Sequence, residues 1–335
     1  MVRFELGVED LARTRFGISP LAETVRSLRA LSDPSRHTLY LPWLRSIRRD
    51  LDGLDLDLLL ALVGPPRGGE RFVSAASQAL PDFLTPVPDR FIARFDEELE
   101  RASATTTETA RRHLLATHAP DPVPGPLVAV MGPAERPVRS LVGSICDALE
   151  RYHELALAPT WPDMRLVLEA DTTYRARQLA VGGARQLFAD MHPNLRWHDG
   201  ALDIDEMISE HTVAANGRGL LLMPSIFAVK PVPPMLADEA PSLAYPSRGI
   251  GTLWAPPPPR PAAALASLIG APRAQLLDML AEPLPTIEIA RRLRVTPSAV
   301  SQHLKVLYTG GLVTRARDGR QVLYRRTGLG DQLAG

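Results

Sequence analysis

Residues 255–261 read Ala-Pro-Pro-Pro-Pro-Arg-Pro, and no regular element can run through them. Each proline locks its φ angle and removes a backbone donor, which forbids helix and denies an interior strand its ladder bonds. The run is expected to be a stiff polyproline II spacer, about 20 Å long at roughly 3.1 Å per residue. It divides the chain into residues 1–254 and 262–335. A length of 335 residues agrees with that division, because single domains usually hold about 100–200.

Upstream of the spacer the texture is mixed. Val2 to Leu6 alternates apolar and charged residues like a half-buried strand, and Ser19-Pro20 then gives N-cap and first-turn chemistry to a helix over Leu21 to Leu31. Apolar spacings of three and four predict helices over Leu51 to Val63, Phe91 to Arg101 and Ser140 to Leu157. Arg165 to Glu169 reads as a strand and Tyr174 to Met191 as a helix. Asn194 to Ile204 reads as a hairpin turning at Asp199-Gly200, and Gly219 to Val229 and Gly249 to Trp254 are short apolar runs. The expectation is an α+β amino-terminal domain.

Downstream the local signals agree with one another. Ala271 to Leu280 is an amphipathic helix stopped by Pro283 and Pro285. Thr286 is expected to cap a second helix, with Ile287, Ile289, Ala290 and Leu293 apolar and Glu288, Arg291 and Arg292 facing water. After a break at Arg294-Val295, Thr296-Pro297 opens a third helix whose Val300, Leu304 and Leu307 recur at i, i+4 and i+7. Two short helices joined by a tight connection make a helix-turn-helix.

Burying Val300, Leu304 and Leu307 turns Ser298, Ser301, Gln302 and Lys305 to the other side. Short hydroxyls, an amide and one cation can meet base edges in a major groove, and Thr296 at the positive helix end can meet a phosphate. Read alone, that face would also suit an ordinary solvated helix. The next segment decides between them. Gly310-Gly311 ends the helix, and Asp318-Gly319 is a two-residue hairpin signal between arginine-bearing strands, a wing whose Arg315, Arg317, Arg320 and Arg325 can reach phosphates or a narrow minor groove. Charge points the same way. The chain is formally neutral, yet residues 262–335 hold ten basic against five acidic residues, a net of +5 that leaves −5 on the rest.

At these residues a family resemblance becomes specific. TIEIARRLRVTPSAVSQHLKVLYTGGLVTRARDGRQVLYRRT resembles the winged helix of ArsR/SmtB-type bacterial transcriptional regulators. Ser298, Ser301, His303 and Leu304 stand in the recognition segment, Gly311-Leu312-Val313 at its exit and Arg317-Asp318-Gly319-Arg320 in the wing. Ahead of the spacer, ISPLAETVRSLRAL, Leu41 to Trp43, RGLLLMPSIF and YPSRG resemble the long amino-terminal half of a group of actinobacterial regulators with this same carboxy-terminal domain. The resemblance implies a DNA-binding transcriptional regulator. Because one small winged helix buries too little interface for high specificity, the expected form is a cytoplasmic homodimeric repressor on an inverted repeat, with residues 1–254 as the dimerisation and small-molecule effector domain and 262–335 binding double-stranded DNA. Metal-sensing members carry a cysteine pair in the helix before the recognition helix, or acid and histidine ligands on a terminal helix. Glu288-Ile289-Ala290-Arg291 and the short Thr327 to Gly335 take those places here, so no thiolate metal sensing is expected.

Other chemistries find little support. The longest apolar stretch, Leu220 to Val229, is broken by Pro224 and falls short of the roughly 20 residues a bilayer span needs. Glu5, Glu9 and Asp10 interrupt the place of a secretory signal. The lone Cys146 excludes an internal disulfide and reads as a small buried hydrophobe. His192, His198, Asp199, Asp203, Asp205 and His211 fit no compact metal-ligand spacing. Asp203, Asp205 and Glu206 read instead as a helix-starting acidic cluster, as do Asp50, Asp52, Asp55 and Asp57. Gly64 to Gly69 and Gly217 to Gly219 lack nucleotide-loop fingerprints. No cofactor, no metal and no enzymatic activity are expected. Two rivals remain: an enzyme tethered by the winged helix, which predicts a pocket with perturbed acids or bases, and a protein-interaction module, which predicts a flat apolar patch.

Overall fold

A computed structural model describes residues 1–35, 37–63, 80–119, 121–207, 210–254, 262–318 and 321–334. The chain forms two compact units, Met1–Ala255 and Pro256–Gly335. The prolines of the spacer, the Gly64 to Gly69 segment, and Gly319 and Arg320 lie outside the described residues.

The first unit runs β1 (Val2–Glu5), α1 (Val8–Ala12), β2 (Arg15–Phe16), α2 (Pro20–Ser32), α3 (Leu41–Ile47), α4 (Asp57–Val63), α5 (Phe95–Ser103), α6 (Thr107–His118), α7 (Glu135–Ala156) and α8 (Trp161–Ala189). It continues with β3 (Leu195–His198), β4 (Ala201–Ile204), β5 (His211–Ala214), β6 (Leu221–Ser225), β7 (Ser242–Pro246) and α9 (Ile250–Leu253). Helices and strands gather into two large cores, beside a small cluster of Leu221, Met223 and Ala244.

In the helical core α2 is the central rod. Ser19 caps it by accepting the Ala22 N–H at 2.9 Å, as Ser-Pro chemistry dictates. Most of its residues are buried, Glu23 and Arg26 among them. Around it lie α3 to α7, whose Trp43, Leu59, Ile145 and Tyr152 are closed to solvent. Trp43 donates its Nε1–H to Ala156 O at 3.1 Å and packs on Phe227, so the Leu41 to Trp43 motif is a core pin. Cys146 is buried on α7, and burial pushes its thiol up to about 11.

The second core covers a four-stranded sheet in the order β3-β4-β1-β5, where β1 pairs antiparallel to β4 and parallel to β5. The Asn194 to Ile204 hairpin is present, with Asp199 and Gly200 both at positive φ, +48° and +78°, as a two-residue primed turn requires. A separate parallel sheet, β2-β6-β7, lies in the same unit.

Several expectations are corrected. Arg165 to Glu169 is helical, inside α8: Met164 and Leu168 are buried four residues apart while Leu166 is exposed, a helical period that tertiary packing selects over alternation. Helix α4 begins at Asp57, later than Leu51. Asp203 lies within β4 and the next element is β5, so no helix starts at that acidic cluster. Gly249 to Trp254 holds the short helix α9. Helix α8 departs from helical geometry at Gly182 and Gly183; before the break Leu168 belongs to the helical core, and after it Leu187 and Phe188 belong to the sheet core.

The second unit runs α10 (Ala262–Ile269), α11 (Ala271–Met279), β8 (Leu284–Pro285), α12 (Thr286–Leu293), α13 (Pro297–Thr309), β9 (Val313–Asp318), β10 (Gln321–Arg326) and α14 (Gly328–Ala334). Leu276, Leu277, Ile289, Leu304 and Leu307 form its core. Among the described residues no helix is long and apolar enough to cross a membrane.

Candidate nucleic-acid interface

The helix-turn-helix depends on how α12 stops. Arg294 takes the left-handed conformation (φ +55°), and Val295 N–H returns to Ala290 O at 3.1 Å, which closes the helix end within two residues. Thr296 is then extended, and its Oγ1 accepts the Ala299 N–H at 3.3 Å. Its hydroxyl proton remains to donate to a phosphate. Thr286, expected as the cap of α12, is instead the first helical residue after extended Pro285, and its neighbour Ile287 is 65% exposed.

Along α13 Val300, Leu304 and Leu307 are buried, and Ser298, Ser301, Gln302 and Lys305 are all exposed. His303 is half-buried beside them. The exposed set shares one side, since steps of three and four return to the same helix face. Ser301, Lys305 and Tyr308 make one edge of that face. Glu288 accepts from Arg291 Nη2 at 2.8 Å and Arg292 Nε at 2.7 Å, and these two guanidinium groups hold its carboxyl down at about 2. Both arginines are therefore partly neutralised.

Strands β9 and β10 form the expected hairpin, joined to β8 in the order β8-β10-β9. Their register pairs Asp318 with Gln321, so Asp318, expected in the turn, stands in strand β9. Pairing Arg317 with Val322 and Arg315 with Tyr324 puts both arginines on one face of the ladder, whereas Arg325, paired with Thr314, lies on the other. The Arg315 guanidinium stands 4.6 Å from the centroid of the Tyr308 ring. That contact ties the Arg315/Arg317 face to the Ser301–Lys305–Tyr308 edge of α13. Arg320 lies outside the described residues.

Residues 272–315 match the family model described as bacterial regulatory protein, arsR family. This segment is similar to an arsR-type helix-turn-helix. The match starts in α11, spans α12 and α13, and ends on Arg315, the third residue of β9. DNA-binding transcription regulation is the function class of an arsR-type helix-turn-helix. No curated protein and no solved structure matches the chain.

The first unit carries one feature that sequence reading missed. A cavity of about 250 Å³ opens between α2, α6, the Asp82 to Val87 segment and the ends of β6 and β7. Arg26, Asp82, His113 and Glu239 line it. Burial is the main cause that pushes the Asp82 carboxyl up to about 7. His113 accepts the Phe83 N–H on Nδ1 at 3.0 Å and donates Nε2–H to Glu239 at 2.9 Å. These residues come from four distant stretches of sequence, so no local spacing could announce them. Among the described residues no group of three or more histidine, cysteine or acidic side chains is placed to hold a metal ion. His198 instead bonds Asp203 at 2.7 Å, which also takes Arg3.

Proposed function

We propose that this protein is a sequence-specific transcriptional regulator, a repressor that binds an inverted-repeat operator as a homodimer. The observation that carries the reading is the polarity of α13: a buried Val300–Leu304–Leu307 side and an exposed Ser298, Ser301, Gln302 and Lys305 side, entered through a capped helix start. Ser301 and Gln302 contact base edges, Thr296 and Lys305 contact backbone, and the β9–β10 hairpin serves as the wing, with Arg315 and Arg317 beside the groove. A single winged helix covers too little DNA for high specificity, and two-fold pairing across one turn of the duplex is the usual remedy. The first unit supplies the dimer contacts and receives a small-molecule signal in the cytoplasm.

The cavity admits a second reading as an enzyme, since Asp82 is a perturbed carboxyl in a pocket. Sensing is favoured because both ring nitrogens of His113 are committed to Phe83 and Glu239, which leaves no free base beside Asp82. Selection of bound genomic fragments by the full chain, followed by sequencing, tests the proposal. Enrichment of an inverted repeat with half-sites about one helical turn apart is expected; recovery of fragments without any common sequence would refute it.

A further inference from the structure

The central helix α2 buries charge in a way that a finished hydrophobic core would not. Arg26 has a side chain 6% exposed, and the Glu23 carboxylate it pairs with has its Oε1 3.6 Å from Nη1, too far for a good hydrogen bond. Its Nε has no partner at all. A guanidinium brings five N–H donors that cannot be deprotonated away at ordinary pH, so leaving them unbonded in a dry site is costly. The neighbouring carboxylates each commit one oxygen elsewhere; their second oxygens, Glu23 Oε1 and Glu98 Oε1, are buried without a hydrogen bond, and neither residue lines the cavity. Glu23 Oε2 accepts the Ile226 N–H at 2.7 Å, and Glu98 Oε2 accepts Ser19 Oγ at 2.9 Å and Leu21 N–H at 3.1 Å, which fastens the start of α2.

Arg26 also lines the cavity, where the uncommitted donors meet open volume. The other charged lining groups are spoken for. Glu239 takes Arg112 and His113, Arg101 donates to Val87 O, and Asp82 accepts the Met235 N–H while burial holds its carboxyl toward the neutral form. Of the remaining walls, Phe83, Val87, Met223 and Val232 are apolar, and Thr85, Thr105, Thr109 and Ser242 add hydroxyls. We propose that this cavity binds a small organic carboxylate, its anionic end on the Arg26 guanidinium and its apolar body against Phe83, Met223 and Val232. A carboxylate fits better than an amine because the orphaned group is a cation with donors, and planar bidentate pairing is what arginine does best with a carboxylate. The volume admits one ring with a short side chain and little more.

This assignment builds on the reading of the first unit as signal-receiving, and its test is separate from DNA binding. The full-length protein, without DNA, is titrated calorimetrically with benzoate, phenylacetate and hexanoate, against benzamide, benzylamine and inorganic phosphate. Saturable binding of at least one carboxylate is expected, roughly ten- to hundredfold tighter than benzamide, the ratio for a charge-assisted pair over a neutral one. Thr109→Trp, which changes a half-exposed lining residue on α6 and leaves the buried charges alone, should abolish binding without changing the far-UV circular dichroism. Arg26→Gln should do the same if it folds, and the Thr109 variant stands if it does not. No saturable carboxylate binding, tighter binding of benzylamine, equal binding of phosphate, or undiminished binding by Thr109→Trp each overturns the proposal. Operator binding measured on the same samples reports on the regulator reading alone, so the two can fail independently.

Discussion

Leu304 and Gln302 stand two residues apart on α13 and face opposite ways, so substituting each by alanine separates the fold from the reading of DNA. Leu304 is fully buried among Leu276, Leu277, Ile289 and Leu307. Truncating a leucine in such a site costs about 2–5 kcal/mol, the upper part of the range applying where the cavity cannot collapse. A domain the size of Pro256–Gly335 holds roughly 4–12 kcal/mol in total, at about 0.05–0.15 kcal/mol per residue. Leu304→Ala should therefore remove a large share of the second unit's stability and all DNA binding near its lowered melting point. Gln302 is exposed, and alanine is the better helix former, so Gln302→Ala should change stability by less than about 0.5 kcal/mol. Losing a bidentate base contact should still cost about 1–3 kcal/mol of discrimination, a five- to 150-fold loss in preference for operator over random duplex. Ser301→Ala should act in the same direction. All four tryptophans, Trp43, Trp161, Trp197 and Trp254, belong to the first unit, so unfolding of the second is followed by far-UV circular dichroism and binding by fluorescence anisotropy at fixed salt. Equal losses by Gln302→Ala on operator and random duplex would show that this face does not read bases. An unchanged unfolding midpoint for Leu304→Ala would show that α13 packs by another face.

Two further outcomes follow from the charges. Arg317→Ala should make the fall of log affinity with log salt shallower by about one, while Arg325→Ala, on the opposite face of the hairpin, should leave the slope unchanged; the reverse result would mean that the other face meets the phosphates. Asp203 is held down at about 2, first by the Arg3 hydrogen bonds and then by His198. A carboxyl depressed in the folded state stabilises above its unfolded value near 4, and that stability disappears as pH falls from there toward 2. With Arg3 37% exposed, the contribution is discounted to about 1 kcal/mol. Denaturant midpoints of Asp203→Asn should lie below wild type at neutral pH and converge with it at low pH; parallel curves would refute the assignment.

What the sequence made legible was local. Ser19-Pro20, Thr296-Pro297 and Asp199-Gly200 carry their caps and turns in adjacent residues, and each element appears where those signals put it. The exposed and buried sides of α13 follow from one helical period. What was illegible depended on partners far away in sequence. Arg165 to Glu169 alternates like a strand, but the packing of Met164 and Leu168 decides its conformation. The short strands β2, β5 and β7 exist through pairings with distant strands. Asp318 belongs to β9 because the pairing of β9 with β10, and not the Asp-Gly dipeptide alone, sets where that strand ends. The Arg26 cavity is assembled from α2, α6, a loop and the sheet ends, and a buried arginine in a helix repeat looks like any surface arginine until its surroundings are known.

The position of β1 sets a timetable for the molecule's making. Val2–Glu5 occupies an interior place in its sheet, between β4 at Ala201–Ile204 and β5 at His211–Ala214. On the ribosome, at about 5–20 residues per second, that strand must wait roughly 10–40 s for both neighbours to emerge. Helices α2 to α7 can meanwhile pack against one another through much closer contacts. The helical core is thus free to form first, with Val2 and Phe4 still uncovered, and the sheet closes last over the chain's longest loop. Until then a strand with one apolar face and two open edges is offered to any neighbouring chain. Loss of soluble protein, more than loss of operator affinity, is the failure this topology invites when synthesis stalls before residue 214.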